Sequence, residues 1–432
     1  MGEKNTFKVR PYARLLTMLG EQLIKNEKVA LGELIKNSYD ADANWVQVRL
    51  IGFAKDDKDD DRLITTPDSM IEIEDDGEGM TFEVLRDAWM NPATPIKFKQ
   101  KGDETTRRTK GKKRIIQGEK GIGRFATYKL GSTTEIVTRS KAAPSQEIHL
   151  NADLSRFDND LLSEDNKEKE IFIDQLEFEY TKRDDPEEIV EKEIVIRGSK
   201  FNRKNHGTVL RLKNLKGEWS KRKLEEIDRD LAKLESPFKR TKSEGAFVVD
   251  IQIEGTSLST KEEHKEELLS AFKNAPIHVT NGVFDDKEKK VCFEVNGRHL
   301  QFGNEKLRNL KEYEKRFYPK IKNRNLVRPI TCGPFQFEFH VFDLSAAAPS
   351  KFKLTKADRE YVKSHRIYLY RDDIRVIPYG DPDDDWIKID VLRGTGRAGD
   401  YLSMDQTIGY VHISQKDNPG LKDKPTDRDW ET

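Results

Sequence analysis

Apolar positions near the N-terminus recur at helical spacing. Leu15, Leu16, Leu19, Leu23 and Ile24 predict a helix over residues 13–25, and a second helical pattern runs over 29–43. Residues 45–50 then alternate as a half-buried strand does, and residues 70–74 repeat the pattern with Ile71 and Ile73 on one face. A helix is expected over 82–90, strands near 133–138, 193–197 and 208–212, and a strongly charged helix over 219–234. Residues 167–193 form a charged insertion without a readable period. Ser236-Pro237 has the character of a domain junction. Beyond it, strands near 246–253, 291–295, 335–342, 367–370 and 408–413 are interspersed with helices near 261–272 and 355–363. The first half lacks a regular βαβ alternation, which favours an α+β sandwich with helices on one face of a mixed sheet. The expected division is a first domain over 1–240 and a second α/β domain over 245–432.

Composition narrows the function classes. Charged residues make up 36% of the 432 positions, against roughly a quarter in an ordinary soluble domain. The 78 Lys and Arg balance 78 Asp and Glu, so a globally basic nucleic-acid binder is excluded while a local basic patch is not. Two blocks stand out: the acidic residues 56–61, and residues 97–114, where nine Lys and Arg face Asp103 and Glu104 for a net of +7. No run of 18 apolar residues exists and residues 1–10 have no secretory apolar core, so neither a membrane nor a secretory route is expected. Two lone cysteines, Cys292 and Cys332, fit a reducing cytoplasm. Eight scattered histidines without an HExxH pair argue against a zinc hydrolase.

Four short constellations carry candidate chemistry. Glu33 and Asn37 are four residues apart on one helix face, with Asp40 seven from Glu33, and Leu31, Leu34, Ile35 and Ser38 are available to face a sheet. A carboxylate there can take a proton from water, and an amide oxygen is a hard ligand suited to Mg²⁺; the same pair also suits a plain solvated helix face. Directly after a strand comes Asp75-Asp76-Gly77-Glu78-Gly79-Met80, in which Asp75 could accept from an exocyclic amine and the glycines admit a ligand closely. An ordinary Asp/Gly turn reads the same way. Third is Gly121-Ile122-Gly123-Arg124-Phe125-Ala126, where glycines leading into a helix form an anion cradle. It is neither a dinucleotide fingerprint, which wants a first strand, nor a P-loop, which wants Gly-Lys-Ser/Thr. Fourth is His206-Gly207-Thr208 entering a strand.

In this order and spacing the four constellations resemble the GHKL superfamily of ATPases with the Bergerat fold, over about residues 10–215. That group includes gyrase B, heat-shock chaperones, histidine kinases, MutL and MORC proteins. The resemblance implies that Glu33 is the general base toward water attacking the γ-phosphate and that Asn37 ligates Mg²⁺. It implies that Asp40 and Ala41 lie near the nucleotide, and that Asp75 binds the adenine amino group within a pocket framed by Gly77, Gly79 and Met80. Gly121, Ile122, Gly123, Arg124 and Phe125 fall in the hinge of an ATP lid over residues 91–117, and Thr208 supports Asp75 through water. Asp76 departs from the Asn of many relatives and adds charge near the base pocket. The basic lid suits a triphosphate; as a basic loop it equally suits DNA.

Residues 245–432 have the position and length of the transducer domain (ribosomal S5 domain 2-like) that follows the nucleotide domain in many GHKL ATPases. Such a domain supplies a cation to the γ-phosphate; Arg397 in its glycine-rich loop is the first candidate, with Arg393 and Lys356 as others. The segments 409–413 and 421–428 loosely resemble the close of that domain in MORC-like relatives, and the end at Thr432 without a closing helix suggests a longer natural chain. The expected function is a cytoplasmic, Mg²⁺-dependent ATPase, a chaperone-like or MORC/MutL-like clamp that forms a homodimer on binding ATP, with a protein client or DNA as partner and no membrane. The alternatives are a histidine kinase-type phosphotransferase and a nucleotide-sensing, nucleic-acid-binding scaffold.

Overall fold

The computed structural model describes residues 9–91, 109, 111–112, 114, 116, 125–155, 171–232, 247–258, 272–321, 324–325, 327, 332–372, 374–376, 379–381, 384–395, 402–414 and 416–418. These fall into two compact units. The first comprises the described residues up to Ala232 together with 247–258, and the second those from 272 onward.

In the first unit, α1 (Leu15–Leu23) and α2 (Glu27–Asp40) are the two helices the apolar spacing predicts. Asn26 caps α2, its side-chain oxygen accepting from the Val29 N–H at 2.9 Å, which satisfies one of the helix's orphan donors. Strands β1 (Trp45–Ile51), β2 (Ala54–Lys55), β3 (Arg62–Ile64) and β4 (Met70–Asp75) follow. Next come a short helix α3 (Phe82–Val84) that widens into a π-helical turn over Leu85–Trp89, and α4 (Phe125–Leu130). The chain continues through β5 (Gly131–Arg139), β6 (Glu147–Asp153), β7 (Glu179–Arg183), β8 (Lys192–Ile196), β9 (Ser199–Arg203), β10 (Gly207–Leu215) and β11 (Trp219–Ser220). Helix α5 (Lys221–Ala232) and strands β12 (Val248–Ile253) and β13 (Thr256–Ser257) complete it.

The main sheet has eight strands in the order β13-β12-β1-β4-β10-β5-β6-β7. It is mixed: β1 and β12 run parallel and their neighbours antiparallel. The register aligns Val48, Ile73, Leu210, Ile136 and Leu150 across five strands, and beside them Val46, Asp75, Thr208, Thr138 and Ile148. Side chains opposite one another in an antiparallel ladder share a face, so both rows look the same way. Helices α1, α2 and α4 pack together, with α2 and α4 against β1, β5 and β10. Leu31, Leu34 and Ile35 of α2 are buried, and Ala13, Leu16, Phe125, Tyr128 and Leu154 form a cluster where α1 meets α4.

The other face of the sheet is polar, yet covered. Residues 187–189 and the β8–β9 hairpin lie over it, with Ile189 packed on Val137 and Val209 and Val195 O accepting from Gln47. Beneath them Arg49 pairs with Glu72 (2.7 Å) and Glu74, Arg203 with Glu74 (3.1 Å), and Arg211 with Glu72 (2.6 Å), Glu135 (3.0 Å) and Glu188. Glu135, His149 and Glu188 lie close enough together to hold a metal ion. Arg211 already bridges the two carboxylates there, and His149 Nε2 is engaged by Glu147 at 2.9 Å; a cation in place of those contacts would face the guanidinium.

Two sequence expectations are corrected. The strand expected at 246–253 lies not in the second domain but in the first sheet, paired with β1 from Trp45↔Val248 to Leu50↔Ile253. The domain boundary therefore falls after β13 rather than at 240–245. The charged insertion supplies the edge strand β7, whose side chains are mostly exposed and so carry no apolar alternation. The expected helix near 261–272, apart from Phe272, and the terminal segment 421–428 lie outside the described residues.

The second unit contains β14 (Ile277–Asp285), β15 (Lys290–Val295), β16 (Arg298–Phe302), α6 (Asn304–Arg308), α7 (Lys311–Phe317), and a hairpin of β17 (Lys320–Ile321) and β18 (Arg324–Asn325). It continues with β19 (Phe335–Val341), α8 (Lys356–Lys363), β20 (Ile367–Arg371), β21 (Ile374–Arg375), α9 (Ile389–Thr395) and β22 (Thr407–Ile413). Its seven-stranded sheet runs β16-β15-β14-β19-β22-β20-β21, with β20 and β22 parallel and α9 between them in the chain. Thr355 and Asp358 form a reciprocal capping box on α8. Phe272, Ala275, Phe342, Leu354, Val362 and Ile408 form one core cluster.

The buried network on the polar face generates a stability prediction. Glu74→Ala leaves the Arg49 and Arg203 guanidinium groups without their shared carboxylate, and removing one partner of a buried pair costs ~3–5 kcal/mol. The expected result is a lower unfolding midpoint in urea for the first unit; a loss under ~1 kcal/mol would contradict a stabilising network.

Candidate active site

Three consecutive acids end at β4, and strand alternation gives each a different task. Glu74 faces the polar side and its cations. Asp75 faces α2, where Ser38 Oγ donates to its Oδ2 at 2.8 Å and the Gly77 N–H to its Oδ1 at 2.9 Å. Asp76 lies past the strand and accepts from the Asn44 N–H and side-chain amide (both 2.6 Å) and the Trp45 N–H (3.2 Å), which fixes the α2–β1 connection. The charge expected near the base pocket at Asp76 is therefore tied into this connection, although it still acts on Asp75.

Asp75 is buried, and both donors are neutral. Loss of hydration pushes its carboxyl up from 3.8 to about 6, with Asp76 and Glu74 adding to the shift and the Gly77 and Ser38 bonds opposing it. Thr208 sits directly opposite Asp75 on β10, and its hydroxyl lies 3.3 Å from that of Thr138. Thr138 Oγ1 in turn accepts from the Met80 N–H at 2.8 Å. One row of the sheet thus holds Asp75, Thr208, Thr138 and the start of the Met80 loop in register.

The glycines are required by close approach. A Cβ on Gly77 would meet Ala41 Cβ and O at 2.8 Å and Asp75 Oδ1 at 2.9 Å. Gly79 has φ +63°, and a Cβ there would sit 2.1 Å from Arg139 O. His206, at the head of the fourth constellation, is buried and its Nδ1 lies 2.6 Å from Gly77 O. Met80 packs with Phe82 and Trp89 against Leu85, Ile136, Ile148 and Leu150.

On α2, Glu33 is half-buried and Asn37 exposed, with Asp40 and Ala41 half-buried at its C-terminal end. Ala41 O accepts from the Glu78 N–H at 2.7 Å, which joins that end to the Asp75–Met80 loop. Lys36, overlooked in the sequence, is buried and its Nζ lies 3.0 Å from Glu33 Oε1. The structure thus brings together Ala41, Asp75, Gly77, Gly79, Met80 and Thr208, with Glu33, Asn37 and Asp40 on the helix whose Ser38 reaches Asp75. Phe125 is buried in the α1–α4 cluster. Gly121, Ile122, Gly123, Arg124, Arg397 and most of residues 91–117 lie outside the described residues.

Residues 25–182 match the sequence profile of the family described as histidine kinase-, DNA gyrase B- and HSP90-like ATPases. The first unit of this chain is a GHKL-type ATPase domain. No curated protein sequence matches the chain. Domains of this family bind ATP and often hydrolyse it. Asp75 keeps lone pairs beyond the two that Ser38 and Gly77 occupy, so an exocyclic amine finds a buried acceptor. Asn37 offers a hard amide oxygen on an exposed helix position, which fits a Mg²⁺ ion that keeps phosphate and water as its other ligands. Among the described residues, no helix is long and apolar enough to cross a membrane.

The raised Asp75 carboxyl makes a signed prediction for the ATPase domain. Between 3.8 and about 6 the folded state holds more protons than the unfolded chain. The ionised group therefore costs stability above about pH 6, and that cost disappears as pH falls below 3.8. Asp75→Asn should stabilise the domain at pH 7.5 by ~1–3 kcal/mol, with the gain shrinking toward pH 4. Thermal unfolding at both pH values checks this; an equal change at both would sink it.

Proposed function

We infer that the chain is an ATP-hydrolysing conformational clamp, in which the ATPase domain binds Mg·ATP and the nucleotide gates association of two copies. The observation that carries the reading is Asp75: a buried carboxylate with two neutral donors, set beside Thr208 and approached by Gly77. A protein gains nothing in stability from this group at neutral pH, whereas an adenine amino group supplies the donor it can still accept. Asp75 orients the base, and Gly77 and Gly79 keep the backbone close to it.

Glu33 acts as general base. It lies on the same helix as Ser38, five residues earlier, so the bond from Ser38 to Asp75 fixes the helix relative to the adenine end while Glu33 stands nearer the phosphate end. Lys36 holds the Glu33 side chain in one direction. Asn37 helps hold Mg²⁺, which neutralises phosphate charge when bound, and Asp40 lies on the same helix near the nucleotide. The second unit takes the role of a transducer domain, with Arg397, Arg393 and Lys356 as its candidate cations.

Three measurements test the reading. Glu33→Ala should bind ATP as the wild type does in calorimetry and lose hydrolysis by ~10²–10⁴-fold, the usual contribution of a positioned general base; hydrolysis at the wild-type rate would remove Glu33 from that role. Size-exclusion with light scattering should show a shift from monomer to dimer when a non-hydrolysable ATP analogue is added. Stable transfer of radiolabel from ATP to a histidine, with no such shift, would replace the clamp by a phosphotransferase.

A further inference from the structure

The turn after α2 carries an acid that the ATP site does not use. Asp42 has φ +61°, a left-handed backbone that glycine or asparagine adopts with less strain, and its carboxylate is buried. It accepts from Thr109 Oγ1, from the Gly111 N–H at 2.9 Å and from the Lys112 N–H at 3.2 Å. Three donors from the basic segment, two of them backbone amides, thus converge on one carboxylate some 67 to 70 residues away in the chain.

The donors are held in place by their own turn and by the end of α2. The Thr109 N–H donates to Arg114 O at 2.7 Å, and the Arg114 N–H to Thr109 Oγ1 at 3.0 Å. The Arg114 guanidinium lies over the Tyr39 ring, 4.4 Å from its centroid, and donates to Ala43 O at 2.7 Å and Tyr39 O at 3.3 Å. Lys112 Nζ donates to Ala43 O at 3.0 Å and to Asn44 Oδ1 at 2.7 Å. Two cations therefore sit on carbonyls around the C-terminus of α2, the negative end of its dipole.

Asn44 extends the contact. Its Oδ1 receives Lys112 while its amide nitrogen donates to Asp76 Oδ2 at 2.6 Å, beside Asp75. Burial pushes the Lys112 ammonium down to about 8, so its placement opposes its own hydration and is sustained by the bonds around it.

We propose that Asp42 is a positioning residue that docks the described part of residues 109–114 on the C-terminal end of α2, and that Lys112 and Asn44 carry this dock to the Asp75–Asp76 corner. For its consequence on nucleotide affinity the proposal rests on the reading of that corner as an adenine site; the dock itself does not. The basic segment is then not a freely solvated charge run but is tethered at this point to the helix that bears Glu33 and Asn37.

The test uses the full chain and the substitution Asp42→Gly, which suits a positive φ and removes the carboxylate, with Asp42→Asn as the conservative partner that retains one acceptor oxygen. Amide hydrogen exchange of peptides covering residues 109–114 should be about tenfold faster or more in Asp42→Gly, because bonds to a charged acceptor are among the stronger ones. Asp42→Asn should recover part of the protection. Calorimetric affinity for the non-hydrolysable ATP analogue should fall about tenfold in Asp42→Gly, with Asp75→Asn as the control for the pocket itself. Unchanged exchange at 109–114 overturns the dock. Faster exchange with unchanged nucleotide affinity overturns the positioning role. If the wild type fails to bind the analogue, the adenine reading fails, and the exchange measurement still decides the dock. Loss of the cooperative thermal transition in Asp42→Gly would show that Asp42 holds the fold, which overturns the specific role proposed here.

Discussion

The placement of one carboxylate organises the ATPase domain. Asp75 ends the central strand β4, and the domain must bury it next to Glu74 and Asp76 without letting the three charges meet. Pleating solves half of this by sending Glu74 to the opposite face, where Arg49 and Arg203 receive it. The strand end solves the rest: Asp76 turns back to the α2–β1 connection and takes three donors there. Asp75 alone faces the helix side, held by Ser38 and Gly77 and pushed up to about 6. That destabilised group is the kind of buried, perturbed residue that marks a functional site. The helix above it, the glycines beside it and Thr208 opposite it all owe their positions to the same corner.

The abundance of charge has a structural counterpart. A sheet with one helix-covered face commonly exposes the other to water. Here the second face is covered by the β8–β9 hairpin and residues 187–189, so its polar side chains must pair with one another. Glu72, Glu74, Glu135 and Glu188 meet Arg49, Arg203 and Arg211 in near balance. Neutrality of the whole chain therefore includes a real local pairing as well as an average over blocks. In contrast, Lys112 and Arg114 of the basic segment rest mainly on backbone carbonyls, an amide oxygen and aromatic rings.

What the sequence discloses follows the range of the forces involved. Helices α1 and α2 and strands β1, β4, β5 and β10 were legible because their apolar period is local and at least four residues of pattern repeat. The four constellations were legible because order along the chain carries them, and the structure joins three of them at one corner: Ala41, Asp75 with Gly77 and Gly79, and Thr208. The sheet membership of β12 was not legible. Its alternation is the same whether it pairs with β1 or with a second sheet, and only the non-local pairing decides. The edge strand β7 was hidden because an exposed edge needs no apolar face. The π-helical turn at Leu85–Trp89 looks like an ordinary helix in the sequence, since periods of 3.6 and slightly more are indistinguishable over five residues. The roles of Lys36 and His206 are not legible for a related reason: their significance lies in what they touch, Glu33 and Gly77 O, and not in any spacing.

Helix α2 concentrates these dependencies. Its middle carries Glu33 beside Lys36, its last turn carries Asn37, the Ser38 bond to Asp75 and Tyr39, and beyond it lie Ala41 and the turn to Asp42 and Asn44. The helix is fixed at both termini, by the Asn26 cap at one and by the Asp76 contacts to Asn44 and Trp45 at the other. A rigid element so fixed cannot adjust Glu33 independently of Asp75. Displacement of residues 39–44 by a change in the basic segment must either break the bond from Ser38 to Asp75 or carry Asp75's surroundings with it. The packed interior admits few intermediate positions, so the contacts of Arg114, Lys112 and Thr109 bear on the same helix that carries Glu33 and holds Ser38 against Asp75. Coupling between Glu33 and Asp75 then requires no separate pathway, because one helix of 14 residues is the common part.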